Sequence, residues 1–197
     1  MHLLVSPELN TFQTYLQRWR AGNRERNIPS ISPANATFLC QLLQLHRPMR
    51  VLEIGTANGI SAATIAHTLA GWGGHLTTIE ISVPTHAEAQ THFDALALSN
   101  ITALQGDARE QLTIGSLSQK RFDLIFIDAQ KSQTHVFYQL CCAVLNAHGL
   151  MIVDDVWLHR DKMKHFYQLL QEKSQSYQLH FIDAGDATMV LTFENTS

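Results

Sequence analysis

The sequence predicts an α/β fold built on a mostly parallel sheet, and two features of the chain lead to that prediction. Short apolar runs rich in Val, Ile, Leu and Phe alternate with longer helical patterns, as expected of buried parallel strands joined by helices. The alternation breaks in YQLHFIDAGDATMVLTF, which predicts two strands around a turn at Ala184–Gly185–Asp186. A hairpin that closes a βαβ series implies one antiparallel strand beside an otherwise parallel sheet.

The individual elements follow from turn and capping signals. A polar, Pro-containing break at residues 21–33 separates an N-terminal helix from the rest, and a second helix can begin at Pro33 and run to about His46. Glycines mark the expected ends of several later helices. The further predicted helices span about 59–70, 84–100, 108–118, 132–146 and 160–174, and the predicted strands before the hairpin span about 50–54, 75–80, 101–105, 122–127 and 149–154.

Length and composition predict one domain. The chain has 197 residues, of which 45% are apolar and 16% charged, and we divide it into a helical cap at 1–46 and a core at 47–197. The formal charge of −3 and the pI near 6.4 provide no basic field for nucleic acid or membrane. No segment has the pattern of a signal peptide or the length of a membrane span, so we expect a cytoplasmic protein.

Cysteine, histidine and arginine patterns add little chemistry. The three cysteines, two of them adjacent, do not suit a disulfide framework and predict reduced thiols. The eleven histidines match no HExxH or Cys/His metal spacing. An arginine cluster near the N-terminus predicts the solvated face and end of the first helix; its members are Arg18, Arg20, Arg24 and Arg26.

Four of the predicted strands end in carboxylates, and this is the strongest functional signal from the residues. The acids are Glu53, Glu80, Asp128, Asp154 and Asp155. The carboxyl ends of parallel strands form one edge of the sheet, where ligands bind in open α/β folds. Because buried acids require partners, these five predict a site for a ligand with cationic or hydroxyl groups.

The loop after the first strand indicates a nucleoside ligand. Gly55 and Gly59 allow a tight turn and close approach of the backbone, but the loop matches neither the GxGxxG fingerprint nor a P-loop. Glu80, at the tip of the next strand, can accept hydrogen bonds from both ribose hydroxyls. Asp107 can contact an adenine edge or cap the next helix. These residues alone leave nicotinamide dinucleotide and S-adenosylmethionine as alternatives.

The remaining acids favour a cation over a pyrophosphate, which clustered carboxylates would repel. Asp128, Asp154 and Asp155 offer the hard oxygen ligands that suit magnesium, manganese or calcium, although helix capping and a solvated turn would also explain them. Lys131 lies near a helix N-terminus, where the helix dipole disfavours a cation. Lys131 is therefore a candidate for chemistry or for an ion pair with a neighbouring acid.

Four motifs in this order resemble the cation-dependent class I O-methyltransferases, which include catechol and caffeoyl-CoA O-methyltransferases. They are VLEIGTANGIS, TIEIS, FIDAQKSQ and VDDVW, and the resemblance extends from about residue 31 to residue 191. It implies a Rossmann-like, seven-stranded methyltransferase sheet, mostly parallel, with one antiparallel strand in the C-terminal hairpin and helices on both faces.

The resemblance also implies functions for individual residues. S-adenosylmethionine would be bound by Glu53, Gly55, Thr56, Gly59, Ser61, Glu80, Ile81, Asp107, Ala108 and Asp128. The implied ligands of a divalent cation, magnesium first and manganese or calcium as alternatives, are Asp128, Asp154 and Asp155. The implied catalytic residues are Lys131 and Asp128. The cation would lower the pKa of an acceptor hydroxyl, and Lys131 would act as general base or hold the oxyanion.

Two departures from the family pattern bear on the cation and on the substrate. Asp155 stands where the family commonly has Asn, which adds a negative charge to the site and should strengthen cation binding. Gln130 replaces an acid common in the plant enzymes, and the short chain leaves little room for the insertion that would bind a coenzyme A substrate.

The expected partner is a small hydroxyl-bearing acceptor of phenolic or catechol-like type. The alternatives are a hydroxylated uridine in tRNA, a non-catalytic S-adenosylmethionine-binding protein and a nicotinamide-dependent oxidoreductase. The N-terminal arginines favour RNA, whereas the acidic pI opposes it. A homodimer formed through the N-terminal helix is a further possibility that the pattern leaves open.

Overall fold

A computed structural model describes residues 7–183 and 186–193, with helices and strands alternating along most of that range. The elements, in chain order, are α1 (Pro7–Glu25), α2 (Pro33–His46), β1 (Arg50–Ile54), α3 (Ile60–Leu69), β2 (His75–Glu80), α4 (Val83–Ala95), β3 (Ile101–Gln105), α5 (Ala108–Thr113), β4 (Phe122–Ile127), α6 (Thr134–Val144), β5 (Leu145–Val153), α7 (Lys164–Glu172), β6 (Tyr177–Asp183) and β7 (Asp186–Thr192). Short 3-10 turns lie at Ala70–Trp72 and Lys131–Gln133.

The strands of the described residues form a seven-stranded sheet in the order β3-β2-β1-β4-β5-β7-β6. The pairs from β3 to β5 are parallel, whereas β7 runs antiparallel to both of its neighbours, β5 and β6. This topology confirms the predicted sheet with one reversed strand. Two of the predicted turn residues, 184 and 185, lie outside the described residues.

Helices cover both faces of the sheet because its strands are apolar on both sides. On one face α1 to α4 pack against one set of alternating strand residues, such as Val51 and Leu124. On the other face α5 to α7 pack against the other set, such as Leu52 and Ile125. Within the described residues no helix is long and apolar enough to cross a membrane.

Local signals explain where several helices begin. Ser32 caps α2, its hydroxyl accepting from the Asn35 N–H at 3.1 Å, and Pro33 occupies the first turn. Ser82 caps α4 in the same way, again with a proline in the first turn. The side chain of Asp107 caps α5.

Four predicted boundaries were wrong by several residues. The helix α4 ends at Ala95 instead of near residue 100, because Ala97 adopts a left-handed conformation with φ 50°. The helix α5 ends at Thr113 instead of near 118. The helix predicted at 132–146 begins as a 3-10 turn and gives way at Leu145 to strand β5, four residues before Gly149. The last helix is limited to Lys164–Glu172.

The three cysteines carry free thiols, as predicted. Cys141 is fully buried, whereas Cys40 and Cys142 are half-buried. Burial raises the pKa of each of these thiols, which keeps them protonated. The division into a cap at 1–46 and a core at 47–197 stays a prediction.

Candidate active site

The carboxyl ends of four parallel strands are in register at one edge of the sheet. Ile54 of β1 is aligned with Ile79 of β2 and Ile127 of β4, and Ile127 is aligned with Val153 of β5. The Asp128 N–H donates to the Ile54 carbonyl at 3.0 Å, which extends the pairing one residue beyond the strands. This register brings the glycine loop and the predicted acids to a common edge.

Two cavities meet at this edge. The larger cavity, of about 530 Å³, lies between the glycine loop, the acids of β4 and β5 and the segment before α2. The smaller cavity, of about 300 Å³, lies over the ends of β2 and β3 and the start of α5. Gly55, Ala57 and Asp128 line both cavities. Both volumes fall in the range of small-molecule sites.

Both loop glycines are required by backbone conformation. Gly55 has φ 97°, and a Cβ atom on it would overlap the carbonyl oxygen of Asp128. Gly59 has φ 99°, and its added Cβ would lie 2.7 Å from the ring of Phe93. Positive φ and close packing both exclude other residues at these positions. Thr56 and Ser61, from the same loop and the start of α3, line the larger cavity.

Glu80 holds the loop from the neighbouring strand. Its Oε2 accepts from the Ala57 N–H at 2.8 Å, and its Oε1 accepts from the Ser82 N–H at 2.9 Å. Glu80 lines the smaller cavity, where a ribose acid is predicted. Each carboxylate oxygen retains a lone pair for a ligand hydroxyl.

Glu53 lies beneath the loop and lines neither cavity. Its Oε2 accepts from the Thr78 hydroxyl at 2.5 Å, and Thr78 Oγ1 lies 2.5 Å from Thr56 Oγ1. Burial raises the pKa of Glu53 to about 7, an effect that Ser61 and Thr78 partly oppose. Its position suits support of the loop rather than ligand contact.

The other predicted cofactor residues lie around the smaller cavity. Ile81, Asp107 and Ala108 all line it. Asp107 Oδ1 accepts from the Arg109 N–H at 2.8 Å, so the capping alternative is confirmed. The Arg109 guanidinium also pairs with Asp107 at 2.5 Å, and its donated hydrogen bond lowers the pKa of that carboxyl.

Lys131 lies among the three predicted cation ligands. Its Nζ is 2.7 Å from Asp128 Oδ1 and 3.5 Å from Asp155 Oδ2, and it donates to the Asp154 carbonyl at 3.1 Å. Burial by itself would lower the pKa of Lys131, but the facing carboxylates outweigh it and raise the pKa. Lys131 is therefore an ammonium ion paired with the acids.

Asp154 is the most constrained of the three acids. Its Oδ1 accepts from Asn35 Nδ2 at 3.1 Å and from Thr188 Oγ1 at 2.5 Å. Burial and the neighbouring Asp128 raise its pKa to about 6. Burial also raises the pKa of Asp155, whose backbone has φ 53°. This left-handed conformation favours Asn or Asp, which explains why either residue suits the position.

The carboxylates of Asp128 and Asp155, which pair with Lys131, and the carboxyl group of Asp154 are hard oxygen donors of the kind that suits a divalent cation. In residues 7–183 and 186–193, however, no three His, Cys, Asp or Glu side chains converge as metal ligands would. The predicted cation site therefore stays a prediction.

Several wall residues of the larger cavity were not predicted. Asn35 and the segment 29–32 come from the N-terminal region, and Leu158, His159 and Asp186 come from later loops. Asp186 Oδ1 accepts from the N–H groups of Trp157 and Leu158 at 3.0 and 3.1 Å. The cap signal at Ser32–Pro33 locates Asn35 on a helix, but no local pattern connects Asn35 with Asp154, 119 residues away.

Two members of the arginine cluster contact their own chain. Arg20 donates to the Ile31 carbonyl, and Arg26 pairs with Glu88 of α4. The interpretation of the cluster as the solvated face and end of α1 thus needs correction for Arg20, which is half-buried, whereas Arg26 is exposed just after the end of α1, as predicted.

Comparison with known proteins identifies the family. The family model for O-methyltransferases matches residues 6–162. A catechol O-methyltransferase of Mycobacterium tuberculosis is 32% identical over 64% of this chain and 57% of its own length. A protein-L-isoaspartate O-methyltransferase of Fervidobacterium nodosum is 38% identical over 41% of this chain and 40% of its own length. The chain thus spans about half the length of these curated relatives.

The fold has counterparts among solved structures. An O-methyltransferase from Bacillus cereus, solved in complex with SAH, superposes with a TM-score of 0.78 at 24% identity. The match covers 91% of each chain. The family match over most of the chain and the shared architecture agree with the motifs at the sheet edge. The chain belongs to the O-methyltransferase family.

Proposed function

We propose that the protein is an S-adenosylmethionine-dependent O-methyltransferase that acts on a hydroxyl of a small phenolic or catechol-like acceptor. The observation that carries this proposal is the junction of the two cavities at Gly55, Ala57 and Asp128. A nucleoside in the smaller cavity and an acceptor in the larger one would meet at that junction. Membership of the family supplies the reaction class.

The smaller cavity would hold the adenosine portion of the cofactor. Glu80 would accept hydrogen bonds from the ribose hydroxyls, while Ile81, Asp107 and Ala108 would contact the adenine. Bound S-adenosylmethionine would supply a methyl group on a positively charged sulfur. Asp128 lines both cavities, so its carboxylate would lie near that charge.

The loop residues would hold the remainder of the cofactor on the side of the larger cavity. Gly55 and Gly59 permit close approach of the backbone, and Thr56 and Ser61 offer hydroxyl groups there. Glu53 would act indirectly, through Thr78 and the loop above it.

The larger cavity would hold the acceptor and a divalent cation. Asp128, Asp154 and Asp155 would hold the cation, magnesium before manganese or calcium, because carboxylate oxygens are hard ligands. When bound, such a cation lowers the pKa of a hydroxyl and so makes it a nucleophile near neutral pH. Apolar walls from Ile31, Ile60 and Leu158 suit an aromatic ring.

Lys131 would stabilise the developing negative charge of the acceptor oxygen. Its ammonium group is held by Asp128 and Asp155 beside the larger cavity, and 14% of its side chain is exposed. A cation fixed in a partly desolvated site stabilises charge more effectively than it would in water. Positioning of the acceptor completes the contribution of the chain, since methyl transfer needs alignment more than covalent help.

A methyl-transfer assay tests the proposal. Labelled S-adenosylmethionine is incubated with catechol or a monophenol, in magnesium or in EDTA, and the methylated product is quantified. We expect product from catechol in magnesium and background levels in EDTA. Absence of transfer to either phenol under saturating conditions contradicts the acceptor class, and unchanged transfer in EDTA contradicts the cation. Methyl transfer to tRNA, in place of transfer to the phenols, would show that the acceptor is RNA.

A further inference from the structure

The last turn of α1 carries a buried amide that contacts the glycine loop. Asn23 is 1% exposed and Asn58, in the loop, is 2% exposed. Asn58 Nδ2 donates to Asn23 Oδ1 at 2.5 Å, and Asn23 Nδ2 donates back to Asn58 Oδ1 at 3.2 Å. Each side-chain amide thus satisfies the other in a region closed to water.

Charged neighbours complete this contact. Arg26 Nη2 donates to Asn23 Oδ1 at 3.4 Å, and the same guanidinium pairs with Glu88 of α4. Asn58 Nδ2 lies 3.4 Å from Glu88 Oε1. The Asn23 carbonyl accepts from the Ile28 N–H at 2.9 Å, where the chain leaves α1. The Asn23–Asn58 pair, together with Arg26 and Glu88, therefore joins α1, α4 and the glycine loop.

The loop has an unusual backbone at the point of contact. Ala57 and Gly59, on either side of Asn58, have φ values of 47° and 99°. Glu80 holds the Ala57 N–H from the sheet side, and Asn23 holds the Asn58 side chain from the helix side. At a residue other than glycine, here Ala57, a left-handed backbone persists only when its surroundings impose it.

We propose that Asn23 is a positioning residue for the cofactor, and that α1 sets the affinity for S-adenosylmethionine through Asn58. The inference rests on the proposed function, which assigns the loop to the cofactor. Removing the Asn23 side chain leaves the Asn58 amide buried with one weak partner, so the loop loses its imposed shape. Ligand binding must then order the loop, and the affinity falls.

Calorimetric titration of S-adenosylhomocysteine into purified full-length variants tests this inference. The variants are Asn23→Ala, Asn23→Ser, Asn58→Ala and the Asn23→Ala/Asn58→Ala double variant. Leu16→Ala is the matched control, because Leu16 is a buried α1 residue whose apolar side chain cannot hydrogen-bond to Asn58. Each titration is done at a temperature well below the thermal unfolding midpoint of its variant.

We expect Asn23→Ala to weaken the affinity about tenfold, and Asn23→Ser to weaken it less, because a hydroxyl restores one partner. The double variant should have the same affinity as Asn58→Ala, because both changes break the same Asn23–Asn58 hydrogen-bonded pair. Leu16→Ala should lose stability and keep its affinity.

Wild-type affinity in Asn23→Ala or Asn23→Ser overturns the inference. Equal weakening by Leu16→Ala overturns it too, as does an additive effect in the double variant. Failure of the wild-type chain itself to bind S-adenosylhomocysteine would overturn the proposed function, a result distinct from these.

Discussion

The Nζ atom of Lys131 lies within 3.5 Å of carboxylate oxygens from two strand ends. This position makes Lys131 the residue proposed to stabilise the acceptor oxygen. The helix dipole near residue 134 disfavours a cation there, so the acids are the reason that a lysine is stable at this position.

Replacing Lys131 with Met tests its contribution to catalysis. We expect turnover to fall by roughly 10²-fold or more, because a fixed positive charge beside the acceptor oxygen is lost. Affinity for S-adenosylhomocysteine should fall far less than turnover, since Lys131 does not line the smaller cavity that would hold the nucleoside. Lys120→Met removes an exposed lysine and should retain full activity. Full turnover in Lys131→Met would contradict the assigned role.

Asp155→Asn tests the extra carboxylate. The left-handed φ of 53° suits Asn as well as Asp, so stability should not fall. Loss of one negative ligand should weaken magnesium affinity, measured by calorimetry, by roughly tenfold. The control Asp161→Asn removes an exposed charge that lies outside the lining of the larger cavity and should leave magnesium affinity unchanged. Equal affinities for Asp155→Asn and wild type would show that the extra negative charge of Asp155 does not strengthen cation binding.

The raised pKa of Glu53 predicts that the stability of the fold depends on pH. Burial raises its pKa in the folded chain to about 7, above the ordinary 4.5, so the folded state favours the protonated acid. This contribution is complete below the ordinary pKa of 4.5 and is lost as the pH rises from there to about 7, by on the order of 3 kcal/mol. Between pH 5 and pH 8, the free energy of unfolding measured in urea should fall less for Glu53→Gln than for wild type.

The control for that experiment is Glu172→Gln, at an exposed position, which should follow the wild-type curve. Identical pH dependence of wild type and Glu53→Gln would mean that Glu53 is ionised in the folded chain.

At the residue scale, acids that end strands could be predicted because strand register alone brings them together. Asn35 and Thr188 could not, since each meets Asp154 only through tertiary packing. Asn23 was missed for the same reason: a single Asn in a helix has no local signal for a partner 35 residues away.

Among the elements, the glycine loop between β1 and α3 is the one on whose conformation cofactor binding would most depend. Gly55→Ala should place a methyl group against the Asp128 carbonyl and force a positive φ on Ala. We expect a loss of about 1–3 kcal/mol in stability and little binding of S-adenosylhomocysteine, measured by urea unfolding and calorimetry.

The matched control is Gly71→Ala, since a Cβ at Gly71 meets nothing within 4 Å and its φ is not in the left-handed region. Normal cofactor affinity in Gly55→Ala would show that the loop adapts.

Element prediction succeeded where the pattern was local. The parallel strands β1 to β4 match their predicted spans because each is a short apolar run bounded by turn residues. The boundary between α6 and β5 was wrong because Leu145–His148 carries no helix stop signal, whereas pairing of Phe122 with Leu145 recruits it into the sheet. Tertiary contact overrode local preference there.

At the scale of the whole molecule, the sheet order explains why both cavities of the proposed site lie at one edge of the sheet. The strands β1 and β4 are adjacent at the centre, so the loops that follow them line both cavities. The N-terminal region closes the larger cavity through residues 29–32 and Asn35. That closure was not predictable, because nothing local in this segment indicates which face of the sheet it covers.

A crystal structure of the chain with S-adenosylhomocysteine and magnesium would locate the cofactor and the cation directly. We predict the nucleoside in the smaller cavity with its ribose hydroxyls on Glu80, and the cation among Asp128, Asp154 and Asp155. A nucleoside elsewhere would contradict the assignment of the smaller cavity, and water in place of the cation at millimolar magnesium, with the nucleoside bound, would contradict the cation site.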